Sequence, residues 1–285
     1  MKRDGLPEAE YLAYGGIVYD LPNDEYHAHS SLSATGAKTL LKSPAKYKYE
    51  VLDGHKEFKK SYDLGSAVHA KVLGVEDEVE VFQFDSWRTK EAREARDGAR
   101  EAGRVPMLAH ELGPVDAMAE AVLGHGLARK LMERPGRSEV SMFGESNGVP
   151  LRCRFDRLPD EGNVAVDLKT TSDDATPDSF ARNAAKYGYD IARGHYLDLL
   201  EIVTGRRMEM VFIVVETAAP HLVNLIQLDQ QFADMGYIKA LEARDIYRRC
   251  MESGEWPGYP DTKVALAKAP YFAIAEYQER FGENA

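Results

Sequence analysis

Glu139-Val-Ser-Met-Phe143, Val149-Pro-Leu-Arg-Cys-Arg-Phe-Asp156-Arg-Leu158 and Val164-Ala-Val-Asp167-Leu-Lys169-Thr-Thr171 are three short apolar runs. They are separated by Gly144 to Gly148 and by Pro159-Asp-Glu-Gly162-Asn163. Apolar runs bounded by turn residues predict three consecutive antiparallel strands. Side chains on a strand alternate, so Asp167 and Lys169 share one face while Val166, Leu168 and Thr170 share the other. On the middle run Asp156 falls on the face of Arg152 and Arg154, opposite Cys153 and Phe155, and closes the strand. Two carboxylates and a lysine gathered beside a sheet compose a site for a divalent cation.

The chain around this unit has 285 residues, enough for one large domain or two small ones. With 44% apolar and 29% charged residues it has the composition of an ordinary soluble globular protein. No apolar run approaches the roughly 20 residues that cross a bilayer. The first residues lack the apolar stretch of a secretion signal, so a cytoplasmic location is expected. The two cysteines, Cys153 and Cys250, make neither a disulfide framework nor a four-cysteine metal site. A net charge of −11 argues against coating nucleic acid through bulk positive charge, though a local basic groove is compatible with it.

Upstream, Ser33 is a plausible cap for a helix whose Leu40 and Leu41 face the core, and Pro44 opens another after Ser43. That helix carries Lys46, Tyr47, Lys48 and Tyr49, which read either as a solvated face with half-buried tyrosines or as a phosphate contact. A helix over 64–73 places Leu64, Ala67, Val68 and Val72 on an apolar face, with His69 beside them and Gly65 leaving room next to the imidazole. Val79 to Phe84 reads as an edge strand. Residues 88–102 form a mixed-charge helix, either a solvated face or a basic helix over a substrate channel. Pro114 to Met132 reads as one amphipathic helix.

Downstream, Thr176-Pro177 starts a helix that ends before Gly188. Asp190 is expected to cap a further helix over 191–204. Met208 to Glu216 is a nearly continuous apolar strand buried on both faces, with Ala219 to Leu228 as its partner. Helices over 230–253 and around 270–281 flank Trp256-Pro-Gly-Tyr259. This order of elements predicts a single α/β unit with an N-terminal helical part.

Asp-x-Lys alone is a common surface pair. Here both charges lie inside an apolar strand, where they are costly unless paired or liganded. Asp156 is brought near across a hairpin. Carboxylate oxygens with room for water suit Mg²⁺ or Mn²⁺, and the chemistry such a site supports is phosphodiester hydrolysis. The phosphate-binding loop, nucleophile elbow, zinc-protease helix and dinucleotide fingerprint are all missing from the sequence.

The combination of Gly148-Val-Pro-Leu-Arg-Cys-Arg-Phe-Asp156 with Val166-Asp167-Leu-Lys169-Thr-Thr resembles the core of the PD-(D/E)XK nucleases. The resemblance is to the exonuclease VIII (RecE-type) and RecB-like branch common in phages. Tyr26-His-Ala-His-Ser-Ser-Leu-Ser-Ala-Thr-Gly-Ala-Lys-Thr-Leu-Leu-Lys-Ser-Pro-Ala-Lys-Tyr47, the Leu64-Gly-Ser-Ala-Val-His69 element and Trp256-Pro-Gly-Tyr259 resemble further signatures of that branch.

The resemblance implies a restriction-endonuclease-like core, a central mixed sheet flanked by helices, over residues 61–285. Residues 1–60 would be a helical extension packed on it, the whole forming one structural unit. It implies His69, Asp156, Asp167 and the Leu168 carbonyl as ligands of Mg²⁺ or Mn²⁺. Lys169 would be the catalytic lysine and Glu139 the acidic residue of the first core strand, with a supporting or second-metal role. DNA contacts are expected from Tyr196, Arg193, Arg154 and Lys46. The family's Gln-x-x-x-Tyr helix keeps Tyr196 but has Ala192 at the glutamine position, where Arg193 or His195 could compensate. With Cys153 and Cys250 only, no iron–sulfur cluster is expected. The implied activity is 5′–3′ resection of double-stranded DNA ends by a homo-oligomer. It would act in the host cytoplasm if phage-encoded, and supply 3′ strands to a RecT-type annealing protein.

Overall fold

The computed structural model describes residues 16–55, 60–75, 79–262 and 264–282. The N-terminal part comprises β1 (Gly16–Val18), α1 (Asn23–Ala28), α2 (Ala34–Lys42) and α3 (Pro44–Tyr47), which runs into a π-helical turn at Lys48–Leu52. Ser33 and Ser43 cap α2 and α3 through their hydroxyls, accepting from Gly36 N and Lys46 N at 3.2 and 3.4 Å. Next come α4 (Lys60–Leu73), β2 (Val79–Phe82), α5 (Lys90–Glu101) and β3 (Val105–Leu108). β2 and β3 pair in parallel as a separate two-stranded sheet, so Val79–Phe82 is not an edge of the main sheet.

The amphipathic stretch before the core is two helices, α6 (Leu112–Gly124) and α7 (Gly126–Met132). His125 breaks it by accepting the Ala128 N–H through Nδ1 at 3.3 Å. Pro114 lies inside the first turn of α6, and Leu127 of α7 is exposed.

The three runs are β4 (Gly136–Ser146), β5 (Val149–Pro159) and β6 (Val164–Thr171), each antiparallel to the next. Only Asn147 and Gly148 form the first turn, both at positive φ (51° and 76°), a conformation suited to a tight hairpin. Gly144 is a strand residue. A Cβ there would meet Leu199 Cδ1 at 2.9 Å, so the glycine admits a helix against the sheet.

That helix is α9 (Tyr189–Thr204), which follows α8 (Pro177–Tyr187) across the αL residue Gly188. Asp190 does not cap it. It is fully buried and pairs with Lys239 at 2.7 Å. β7 (Glu209–Glu216) lies parallel to β6, and β8 (Val223–Ile226) closes the sheet in the order β1-β4-β5-β6-β7-β8. Helices α10 (Gln230–Ser253) and α11 (Tyr271–Phe281) complete the described chain.

Helices cover both faces of this mixed sheet. On one, Leu40, Tyr47, Phe180, Leu199 and Tyr247 pack against Met142, Cys153, Phe155, Phe212 and Val214. On the other, Ala67, Val68, Met118 and Val122 pack against Val166, Leu168, Ile213 and Val215. β7 serves both cores, which explains its unbroken apolar run. Trp256 stacks on the buried Tyr47, with ring centroids 5.6 Å apart, and Pro257 O accepts from Ala45 N. The C-terminal element is thereby tied to the N-terminal helices. No helix among the described residues is long and apolar enough to cross a membrane.

Candidate active site

The site forms where β5 meets β6. The two strands are in register at Arg157 opposite Val166, which places Asp156 across from Asp167. Asp156 does not close its strand, since β5 continues to Pro159. Its Oδ2 accepts the main-chain N–H of Leu168 at 2.6 Å, so a side chain takes part in joining the strands. The same oxygen lies 3.8 Å from His69 Nδ1, on α4. Gly65, one turn earlier, makes its room against the sheet, because a Cβ there would sit 3.3 Å from Thr170 Oγ1. This close approach of α4 to β6 delivers His69 to the edge of the site.

Asp167 and Lys169 share a face, as their spacing requires, and the ammonium contacts Asp167 Oδ2. Burial holds Asp167 above the usual carboxylate value, with Lys169 opposing and Asp156 reinforcing the shift. Burial alone would lower Lys169. Asp167 and Asp156 outweigh it and lift the ammonium above its ordinary value. The Lys169 Nζ also lies 5.3 Å from the centre of the Tyr189 ring and donates to Leu168 O at 3.3 Å.

The donor set, two carboxylates, the Leu168 carbonyl and one imidazole, fits a hard divalent cation such as Mg²⁺ or Mn²⁺. Asp167 Oδ2 is buried and accepts no aligned hydrogen bond. Among the described residues no three carboxylate, imidazole or thiol groups are already gathered around one point, and the Lys169 ammonium is the counter-charge to Asp167.

Glu139 stands in register opposite Asp156, between the paired positions Ser138–Arg157 and Val140–Phe155. Its φ of 50° is a left-handed conformation that a glutamate adopts at a cost. Its carboxylate lies 3.5 Å from Arg154 Nη1 rather than on the Asp167–Lys169 pair.

Three of the residues expected at DNA or beside it are occupied by the protein itself. Arg154 is buried, donates to Ser141 Oγ at 2.9 Å and to Leu21 O at 2.8 Å, and stacks on Tyr26. It anchors the N-terminal segment to the sheet through these contacts. Arg193 pairs with Glu209 at 2.6 Å. His195 is fully buried with Nε2 3.0 Å from Arg152 O. Burial, with Arg244 nearby, pulls its pKa down to about 3, so it is neutral and part of the core. Tyr196 packs edge-on against Phe155, with ring centroids 5.3 Å apart. Lys46 is exposed on α3. Lys90, Arg96 and Arg100 of α5 also have acidic partners, Arg100 pairing with Asp63 at 2.6 Å, which favours a solvated face for that helix.

Two residues of the site are not singled out by sequence reasoning, Lys38 and Tyr189. Burial and then the Lys169 ammonium bring Lys38 down to about 8. The signal for it was present: Lys38 lies four residues after the buried Ala34 and next to the buried Ala37, a charge bordering an apolar stripe.

A mixed sheet covered by helices on both faces, with an Asp and an Asp-x-Lys meeting across two of its strands, defines the PD-(D/E)XK nuclease fold. The chain belongs to the family described as "PDDEXK-like domain of unknown function", which matches residues 33–268. Among solved structures, it is similar to a Eubacterium rectale protein named "Putative exonuclease". The identity is 17% and the TM-score 0.59, covering 95% of this chain and 98% of that one. A protein named SSO0001 has 12% identity and a TM-score of 0.37, covering 75% of this chain and 74% of its own. A phage-related exonuclease from Haemophilus somnus has 14% identity and a TM-score of 0.33, covering 82% and 99%. No curated protein matches. Family membership and fold together support a nuclease.

Proposed function

We propose that this protein is a divalent-metal-dependent exonuclease that resects double-stranded DNA ends. The observation that carries this reading is the meeting of Asp156, Asp167 and Lys169 at the β5–β6 junction, with His69 delivered to Asp156 by α4. Asp156, Asp167, the Leu168 carbonyl and His69 would hold Mg²⁺ or Mn²⁺. When bound, the ion supplies charge for a phosphoryl oxygen and acidifies a water. Lys169 then orients the attacking water and neutralises charge developing on the phosphate. Glu139 steadies Arg154 and the strand behind Asp156. The direction is 5′ to 3′, leaving 3′ strands for a RecT-type annealing partner. The working form is a homo-oligomer in the cytoplasm. Family membership and the name of the similar Eubacterium rectale structure support this reading.

The decisive experiment follows nucleotide release from linear duplex DNA labelled at either end, with Mg²⁺, using Asp167→Ala and Lys169→Ala as controls. Release from the 5′ end at least about 100-fold above the controls is expected. Wild-type activity no higher than theirs rejects the assignment.

The internal pairing of Arg154 and Arg193, together with the −11 charge, favours a second reading: a non-catalytic module for DNA ends or a protein partner. Calorimetric titration with Mn²⁺ separates the two, since such a module has no metal site that Asp156→Asn abolishes.

A further inference from the structure

Lys38 extends from α2 toward the start of α9, where its aliphatic stem lies over the chain. A Cβ built on Gly188 would lie 2.5 Å from Lys38 Cδ and 2.9 Å from Cγ, so the stem runs directly over that glycine. Gly188 is the αL residue that joins α8 to α9, and the next residue is Tyr189, whose ring faces Lys169. One turn of chain therefore fixes two lysines that are far apart in sequence. Lys169 has Asp167 as its partner. Lys38 makes no hydrogen bond or ion pair among the described residues. Of its charged neighbours Lys169 acts most strongly and repels it, and Asp167, the next, is already paired.

Lys38 is half-buried, and at the end of that stem its ammonium reaches solvent, unpaired but accessible. Here the stem is held against Gly188, and the nearby carboxylate is taken. What the position lacks is an anion. Lysine is a compact point charge suited to phosphate, and phosphate contacts position nucleic acid without reading its sequence.

We propose that Lys38 is a positioning residue that grips a phosphodiester of the substrate strand beside Lys169. The assignment rests on the nuclease reading above. It deepens that reading by adding an N-terminal helix to the substrate-binding surface.

The test compares wild type with Lys38→Met, Lys38→Gln and Lys38→Arg. The readouts are cleavage of linear duplex in Mg²⁺, anisotropy binding of the same duplex in Ca²⁺, and thermal melting. Lys38→Met and Lys38→Gln are expected to raise KM and the binding constant by about tenfold. Their kcat should stay within about threefold of wild type, and the salt dependence of binding should fall by about one unit of slope. Lys38→Arg should recover most of the loss. Melting of the neutral variants should stay close to wild type, because the ammonium makes no pair within the folded protein. Binding and salt slope equal to wild type in both neutral variants overturn the proposal. If wild type cuts no better than Asp167→Ala, the nuclease reading fails, and the binding data still decide the role of Lys38.

Discussion

Asp156 accepts the main-chain N–H of Leu168 through its side chain, Oδ2 to N, at 2.6 Å. One carboxylate thus has two duties, completing the contact between β5 and β6 and presenting oxygen to an ion. The duties separate by substitution. Asn keeps an acceptor for Leu168 N, so Asp156→Asn should melt close to wild type. Asp156→Ala should lose about 1–3 kcal/mol, as expected when a charged acceptor is removed from a part-buried donor. Both should lose cleavage by at least about 100-fold. Equal melting of the Asn and Ala variants would contradict the strand-joining role.

Metal binding is measurable without turnover. A ligand that binds only the folded state stabilises it by about 2.7 kcal/mol at a hundredfold excess over its dissociation constant. Added Mg²⁺ or Mn²⁺ should therefore raise the melting temperature of wild type, and Asp167→Asn should remove the shift. A shift retained in Asp167→Asn places the ion elsewhere.

His195 sets an acid limit on stability. Its folded pKa, about 3, lies below the unfolded value of about 6.5. Between these values the unfolded chain binds a proton that the folded chain does not. The contribution of neutral His195 is therefore complete above pH 6.5 and is lost as pH falls, by about 1.4 kcal/mol per unit. Urea midpoints at pH 7 and pH 4.5 should fall less steeply in His195→Gln than in wild type. Parallel pH profiles would reject the assignment.

Helices α9 and α10 touch at glycine. A Cβ on Gly236 would lie 2.2 Å from Asp190 O, and one on Gly194 would lie 2.7 Å from Tyr237 Cα. Gly236→Ala should cost about 2–3 kcal/mol, since backbone cannot yield as a side-chain tip can. Gly98→Ala, on an open face of α5, should instead add about 0.5–1 kcal/mol by stiffening the unfolded chain. Chemical denaturation of the pair checks both signs.

Arg154 separates structural from DNA-binding roles. Arg154→Met removes the cation beside the Glu139 carboxylate and releases the N-terminal segment, and should cost about 2–3 kcal/mol by denaturation. DNA affinity of the folded fraction should stay unchanged. A loss of affinity without loss of stability would return Arg154 to the DNA surface.

Local chemistry made much of this protein legible in advance. Ser33, Ser43, Thr176 and Gly188 mark helix ends because capping and αL preference act over a few residues. The turns and alternation of 139–171 set three antiparallel strands, and Asp167 and Lys169 share a face because a strand has a period of two. His125 shows where such reasoning stops. The apolar periodicity continues past it, but its ring caps Ala128 N and splits one expected helix into two.

Which charges are free to act was beyond the reach of local pattern. Arg154, Arg193 and His195 carry the right chemistry for DNA, yet tertiary packing gives each a protein partner. Lys38 looks like any helix lysine until the fold lays its stem over Gly188, next to the Tyr189 ring that faces Lys169. The sequence by itself determined the three core strands, the helix ends at Ser33, Ser43, Thr176 and Gly188, and the Asp156, Asp167 and Lys169 set, since these depend on neighbours in the chain. Only the tertiary structure decided which cations are already matched and which still lack an anion, because charge pairing depends on distance through space.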